Sequence, residues 1–372
     1  MSVTPGGARP LPAPRPASAG VLPSQAIARL IASGAVAADA PVEPGQIQPA
    51  SLDLRLGDRA LRMRASFLPG AGRPVAERTD LAMHEMSLAE GAVLERGCVY
   101  LVPLRERLDL PPDIHAVANA KSSTGRVDLL TRLITDGGTE FDRIAPGYRG
   151  PLWAEICPRS FSVLVRPGMR LNQIRFRRGE SRLSDAELGA LHEAEGLVQG
   201  PARIADGLAF SVDLERPGDG LVGWRAKPHA GVIDLGRVAH YPAREFWEAL
   251  SPERGRLILD PGAFYILVSR ESVHIPPAFA AEMAPYLAMV GEFRVHYAGF
   301  FDPGFGHGSG GAGARGVLEV RCHEAPFALE HGQTVGRLLY ERMAEAPEAL
   351  YGAEGSASSY QGQGLKLSKH FA

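Results

Sequence analysis

The chain has 372 residues, 45% of them apolar and 22% charged, enough for one large core or two of ordinary size, and two suit this length better. Its 40 Lys and Arg stand against 42 Asp and Glu, a formal charge of −2, so no global basic field recruits long nucleic acid or an anionic membrane and any anion must be bound locally. No stretch approaches the ~18–20 consecutive apolar residues of a membrane span, and the first residues lack a charged start followed by an apolar block. That pattern predicts a cytoplasmic protein.

In chain order, residues 1–20 are rich in Pro, Gly, Ala and Arg, have little to bury, and are expected to be a disordered tail. The run LPSQAIARLIAS then sets Ile27, Leu30 and Ile31 at helical spacing after Ser24, a candidate cap, so a short amphipathic helix is predicted. Beyond it the pattern changes to short apolar runs punctuated by Gly and Pro: SLDLRLG from Ser51, CVYLVPL from Cys98, SFSVLVRPGM from Ser160 and RLNQIRF from Arg170. Leu52, Leu54 and Leu56 alternate with polar residues, as do Phe161, Val163 and Val165, which is the period of half-buried antiparallel strands. With 43 Gly and 30 Pro marking turns, an all-β-dominated barrel or sandwich with minor α content is expected. Cys98, Cys157 and Cys322 are odd in number and far apart, which argues against a disulfide framework or a closed zinc site and for buried free thiols.

The chain repeats itself. GCVYLVPLRERLDLPP, from Gly97 to Pro112, aligns without gaps on GAFYILVSRESVHIPP, from Gly262 to Pro277. Glu155, followed by the turn at Gly168, has the same spacing as Glu319 followed by Gly332. Two copies of one strand-rich unit, 21–200 and 201–352, followed by a terminal segment 353–372, account for the length.

Two features can carry chemistry. Lys121-Ser122-Ser123-Thr124-Gly125-Arg126 gathers cations, hydroxyls and a flexible Gly, a donor set suited to phosphate, although a capped helix start with solvated Lys and Arg would read the same way. Glu155 in PLWAEICP and Glu319 in GVLEVRC are carboxylates within apolar strands, where burial favours base-competent behaviour near neutrality. Periodicity leaves open which of the two acts, and leaves open equally a plain ion pair with Arg159 or Arg321. The H-x-E and P-C-x-x-C ligand pattern of zinc deaminases does not occur, so no metal ligands are assigned. The Gly-rich run from Gly304 to Gly316 lacks a Lys-Ser/Thr ending and reads as a long hairpin loop.

Four segments together carry a resemblance. IQPASLDLRLG (Ile47–Gly57), KSSTGR (Lys121–Arg126), RPGMRLNQIRF (Arg166–Phe176) and the ending YQGQGLKLSK (Tyr360–Lys369) are similar to motifs of the deoxycytidine triphosphate (dCTP) deaminases of the deoxyuridine triphosphatase (dUTPase)-like superfamily. The resemblance implies two tandem jelly-roll β-barrels, homo-oligomeric (trimeric) assembly, sites between barrels, and a flexible C-terminal lid, 353–372, over the nucleotide. It implies Glu155 as the base that activates water without zinc, Ser122 and Arg126 positioning the water, and Lys121 and Ser123 at the phosphates. Gln173, Tyr360, Gln363 and Lys369 would contact or cover the nucleotide, and Mg²⁺ would arrive bound with the triphosphate.

The departures are as informative. The family's V-H-x-x-A-x-x-I-D-P-G loop is longer in the first repeat and has lost its His, whereas Val295–Gly304 keeps it, with His296, Ala298 and Asp302; the second repeat has in turn lost the K-S-S-T-G-R segment. The expectation is a composite site, with Ser122, Ser123, Arg126 and Glu155 from the first repeat and His296, Ala298 and Asp302 from the second. Whether Glu319 replaces Glu155 stays open at this point. The implied function is hydrolysis of dCTP to dUTP and ammonia, feeding dUTP and dTTP synthesis. The alternatives are a bifunctional or pyrophosphohydrolytic relative that releases dUMP, with Asp302 as the base, and a nucleotide sensor without turnover.

Overall fold

The computed structural model describes residues 19–199, 201–215, 220–252, 254–285, 293–296, 299–307, 313–352 and 364–372, with the backbone alone for 285 and 293–296. The described chain is mostly β, 44% strand and 11% helix, in several antiparallel sheets. The first helix, Ser24–Ala32, lies where its apolar spacing predicts and buries Ala26, Ile27 and Leu30; Pro23, and not Ser24, is its N-cap. A second helix, Asp185–Glu195, was not expected from apolar periodicity because only Leu188 and Leu191 are buried; Ser184 and Glu187 form a reciprocal capping box at its start.

The repeat is visible in the strand registers. In the first half Val99–Asp109 pairs with Arg149–Pro158, setting Glu155 opposite Leu101. In the second half Phe264–Val273 pairs with Ala314–Cys322, setting Glu319 opposite Ile266, at the equivalent place. The turns at Gly168 and Gly332, with φ of 77° and 74°, match as well, a left-handed geometry that glycine adopts without strain. Each half stacks two sheets on one apolar core. Leu54, Ala118, Ile174 and Phe176 meet Tyr100, Val102, Ala154 and Ile156 in the first, and Phe210, Met283, Leu338 and Tyr340 meet Tyr265, Leu267, Leu318 and Val320 in the second. Among the described residues none of the ladders closes into a ring.

The halves are stitched together. Ile233–Asp234 adds in parallel to Val163–Leu164. Phe246 and Trp247, at the start of the strand Trp247–Leu250, stack edge-on against Phe161 at 5.7 and 5.3 Å. The strand Ala314–Cys322 is consequently buried on both faces: Leu318, Val320 and Cys322 enter the second core, while Val317 joins the first. By the two-residue pleat, Glu319 and Arg321 share the Val317 face and look at the first half. All three cysteines are free thiols, Cys157 and Cys322 buried and Cys98 partly so.

Candidate functional site between the two halves

The strand Ile114–Ala120 ends at Lys121, whose N–H donates to the Leu171 carbonyl at 2.9 Å, and the chain makes a single helical turn, Ser122–Gly125. That turn presents Ser122 and Ser123 to a cavity and brings Arg126 beneath it, only 3% exposed. Asp128, held at a φ of 54°, accepts from Ser160 Oγ at 2.6 Å and pairs with Arg321. This buried cross-half ion pair ties the strand of Glu319 to the turn that carries the two serines.

The cavity, about 470 Å³, opens between the halves, within the usual size range of small-molecule sites. Glu319 lies in its wall, 4% exposed, with Oε1 3.9 Å from Arg126 Nε. Burial pushes its pKa up to about 8, with Arg126 opposing and Asp128 reinforcing the rise. A carboxyl group poised near neutrality, beside a guanidinium and two hydroxyls, can take a proton from a water and pass it on.

In the remainder of the wall Lys121, Arg170 and Lys369 gather around Asp53. Burial raises the Asp53 pKa against the pull of Lys121, and burial with the neighbouring Lys121 lowers that of Lys369. Phe300, Phe301 and Asp302 line the cavity too, Asp302 within electrostatic reach of Asp53 and Lys121. Asp302 Oδ1 accepts from Arg175 at 2.9 Å, and burial raises its pKa. Cations and aromatic rings in one wall suit a ligand that carries both phosphates and a ring.

Of the residues expected at the site, Lys121, Ser122, Ser123, Arg126, Gln173, Asp302 and Lys369 all line this cavity. Gln173 Oε1 accepts from Ser51 Oγ at 3.2 Å. The backbone of His296 pairs with Glu319, so the strand Phe293–His296 borders that carboxyl group's strand; Ala298, Tyr360 and Gln363 lie outside the described residues. Residues 364–372, expected to be flexible, are docked: Ser368 Oγ donates to the Ser123 carbonyl at 2.8 Å, Arg126 Nη1 to the Lys366 carbonyl at 3.1 Å, and Phe371 sits 5.5 and 5.7 Å from Phe246 and Trp247.

Glu155 is not brought to this cavity. Its carboxylate pairs with Arg132, whose Nε lies at 3.1 Å and whose guanidinium stacks on Phe141 at 3.6 Å, in a separate small core around Leu61, Leu101, Ile134 and Trp153. The expectation that Glu155 lines the same cavity as Ser122, Ser123 and Arg126 does not hold: Glu319, its equivalent in the repeat, lines that cavity, and the corresponding face of the first-half strand is covered locally. Asp53, Arg170 and His370 also line the cavity and were missed. A signal existed for Asp53. In SLDLRLG the Leu face enters the core, yet Ser51, Asp53 and Arg55 are also buried, so the polar face of this strand meets protein and not water.

Family models for the dCTP deaminase N-terminal domain and C-terminal domain match residues 18–180 and 184–371. The chain belongs to the dCTP deaminase family. It is similar to the crystal structure of 2'-deoxycytidine 5'-triphosphate deaminase from Agrobacterium tumefaciens, with 54% identity, a TM-score of 0.85, and coverage of 89% of this chain and 100% of that one. It is 33% identical to the dCTP deaminase of Halorubrum lacusprofundi over 134 residues, 35% of this chain and 63% of that protein. It is 32% identical to the dUMP-forming dCTP deaminase of a Nocardioides species over 171 residues, 44% of this chain and 85% of that protein.

Proposed function

We propose that this chain hydrolyses dCTP to dUTP and ammonia at the cavity between its halves, with Glu319 as the base. Glu319 takes a proton from water as the water adds to C4 of cytosine and delivers it to N3, then relays the proton of the new C4 hydroxyl to the departing amino group, so that dCTP and water become dUTP and ammonia. Ser122 and Arg126 hold the water and Glu319 in register, Lys121, Ser123, Arg170 and Lys369 meet the triphosphate, and Gln173 and Asp302 meet the nucleoside, to which the resemblance also assigns His296. The observation that carries this reading is the juxtaposition of Glu319, with its raised pKa, and Arg126 across the boundary between halves.

Mg²⁺ would enter with the triphosphate. Asp53 Oδ1, a buried oxygen with no hydrogen-bond partner among the described residues, fits as a protein contact, and the remaining ligands would be phosphate and water oxygens. Each half is read as a jelly-roll barrel of the dUTPase-like type, 21–200 and 201–352, with 353–372 closing the site, in a cytoplasmic homo-oligomer that supplies dUTP for dTTP synthesis. No helix among the described residues is long and apolar enough to cross a membrane.

The test is to incubate the purified protein with dCTP and Mg²⁺ and to resolve nucleotides, ammonia and pyrophosphate, with Glu319→Gln as control. dUTP and ammonia, lost in the variant, support the reading; binding without product overturns it in favour of a sensor. A second reading, release of dUMP, is favoured by the dUMP-forming relatives and by Asp302 in the wall. Stoichiometric pyrophosphate would establish it.

A further inference from the structure

The strand Arg170–Arg178 of the first half lines the cavity through Gln173, and Arg175, two places on and so on the same face, points away from the core of its own half, which takes Ile174 and Phe176. It is fully buried. Its guanidinium donates from Nη1 to the Ala281 carbonyl at 2.8 Å, and from Nη2 to the Phe301 carbonyl at 3.3 Å and to Asp302 Oδ1 at 2.9 Å. It also lies 4.1 Å from the centre of the Phe300 ring. One side chain from the first half thus grips three consecutive residues of the second, all of them in the cavity wall.

Phe301 packs in the second core edge-on to Phe305 at 5.0 Å, and the Asp302 carbonyl accepts from Phe305 N at 3.1 Å. Phe300–Phe301 is a strand of two residues, paired to Glu282 and Ala281 by one short ladder. The register equivalent of Arg175 in the second half is Leu339, since Arg175 lies opposite Val117 and Leu339 opposite Glu282 at matching places of the repeat. The arginine is accordingly not part of the repeated framework; it occurs in the half that lacks the loop and serves the half that has it.

We infer that Arg175 is a positioning residue for nucleoside recognition, fixing from the opposite half the distance of Phe300 and Asp302 from the bound substrate. It touches no reacting atom itself. The planar fork and its stack on an aromatic ring are features that lysine, a point charge, does not reproduce. This inference rests on the proposed dCTP reaction, so wild-type turnover of dCTP tests that reading and the variants test the inference.

The experiment measures kcat and KM for dCTP in Arg175→Lys, together with dCTP affinity by calorimetry in a Glu319→Gln background, where turnover is stopped. A rise of about tenfold in both KM and Kd, with kcat within about threefold, is expected when a ground-state positioning contact is lost. Unchanged KM and Kd with a lowered Tm would make Arg175 a plain structural ion pair and overturn the inference, as would loss of kcat at constant KM. If Arg175→Lys does not fold, Phe300→Leu removes the stacked face with the guanidinium retained. The same rise in KM at near wild-type Tm is then expected, and an unchanged KM overturns the inference.

Discussion

Glu155 and Glu319 stand at equivalent points of equivalent strands and face opposite fates. Glu155 lies opposite Arg132 across the strand pair, and Glu319 lies opposite His296 in the same relation. In the first half the arginine captures the carboxylate, and the segment around Phe67, Val75 and Leu81 covers that face with its own small core. In the second half the face is covered by the first half instead, and a cavity remains between Glu319 and the Ser122–Arg126 turn. A carboxylate at the same place of a repeated strand gives a structural ion pair or a candidate base according to what closes over it. The carboxylate alone does not decide.

The sharpest way to break this comparison is to neutralise each carboxylate in turn. Glu319→Gln is expected to lower kcat for dCTP on the order of 10²–10⁴-fold, the usual contribution of a positioned base, while Glu155→Gln leaves kcat within about threefold. Steady-state kinetics on the two variants checks this; the reverse ranking would return Glu155 to the site.

The two carboxylates could not be separated in the sequence for a physical reason. The motif residues Lys121, Ser122, Ser123, Arg126 and Gln173 were legible because they are local, and the structure brings all five to one cavity. The pairing of halves was legible only as complementary losses, the missing His in one and the missing serines in the other. Glu155 and Glu319 share strand, spacing and apolar neighbours, so nothing local separates them. The separating residue is Arg132, far from Glu155 in sequence and opposite it only once register is known. Likewise the two-core organisation followed from the repeat, whereas the insertion of Phe246, Trp247 and Phe371 into the first core depends on contacts between distant segments.

The next largest effect concerns pH. Burial raises the Glu319 pKa to about 8, so the proton-accepting form is the minority species at pH 7 and gains as pH rises. Below the pKa, kcat/KM for dCTP is expected to fall about tenfold per pH unit and to level off above about pH 8–9. Stability carries the opposite sign. The raised folded pKa means that Glu319 imposes no charge-burial cost below the ordinary carboxylate range and an increasing cost as pH climbs towards 8. Glu319→Gln is therefore expected to raise Tm at pH 9 and to leave it nearly unchanged at pH 4, as calorimetric melts at the two pH values would show.

Stability in the first half sharpens the contrast. Arg132→Ala leaves Glu155, only 2% exposed, without its cation, at an expected cost of about 1–3 kcal/mol because Arg132 itself is partly solvated. Denaturant titration measures that cost, and dCTP turnover is expected to persist. Loss of turnover at full stability would mean that the first-half pair serves the site after all.

The smallest effect follows from replacing both partners. Breaking a buried ion pair is costly chiefly because one charge is left uncompensated, while exchanging the whole pair for apolar groups of similar shape often leaves stability nearly unchanged. The Phe141 ring that carries the Arg132 guanidinium, and the Leu61, Leu101 and Trp153 side chains nearby, supply an apolar surround for such an exchange. Arg132→Met with Glu155→Leu is thus expected to fall within about 1 kcal/mol of wild type, less than the Arg132→Ala change alone. The difference between the double variant and the sum of the singles gives the coupling between the two residues. A coupling near zero would mean that Glu155 is held by its strand and not by Arg132, and the contrast between the halves would then rest on the covering segment by itself.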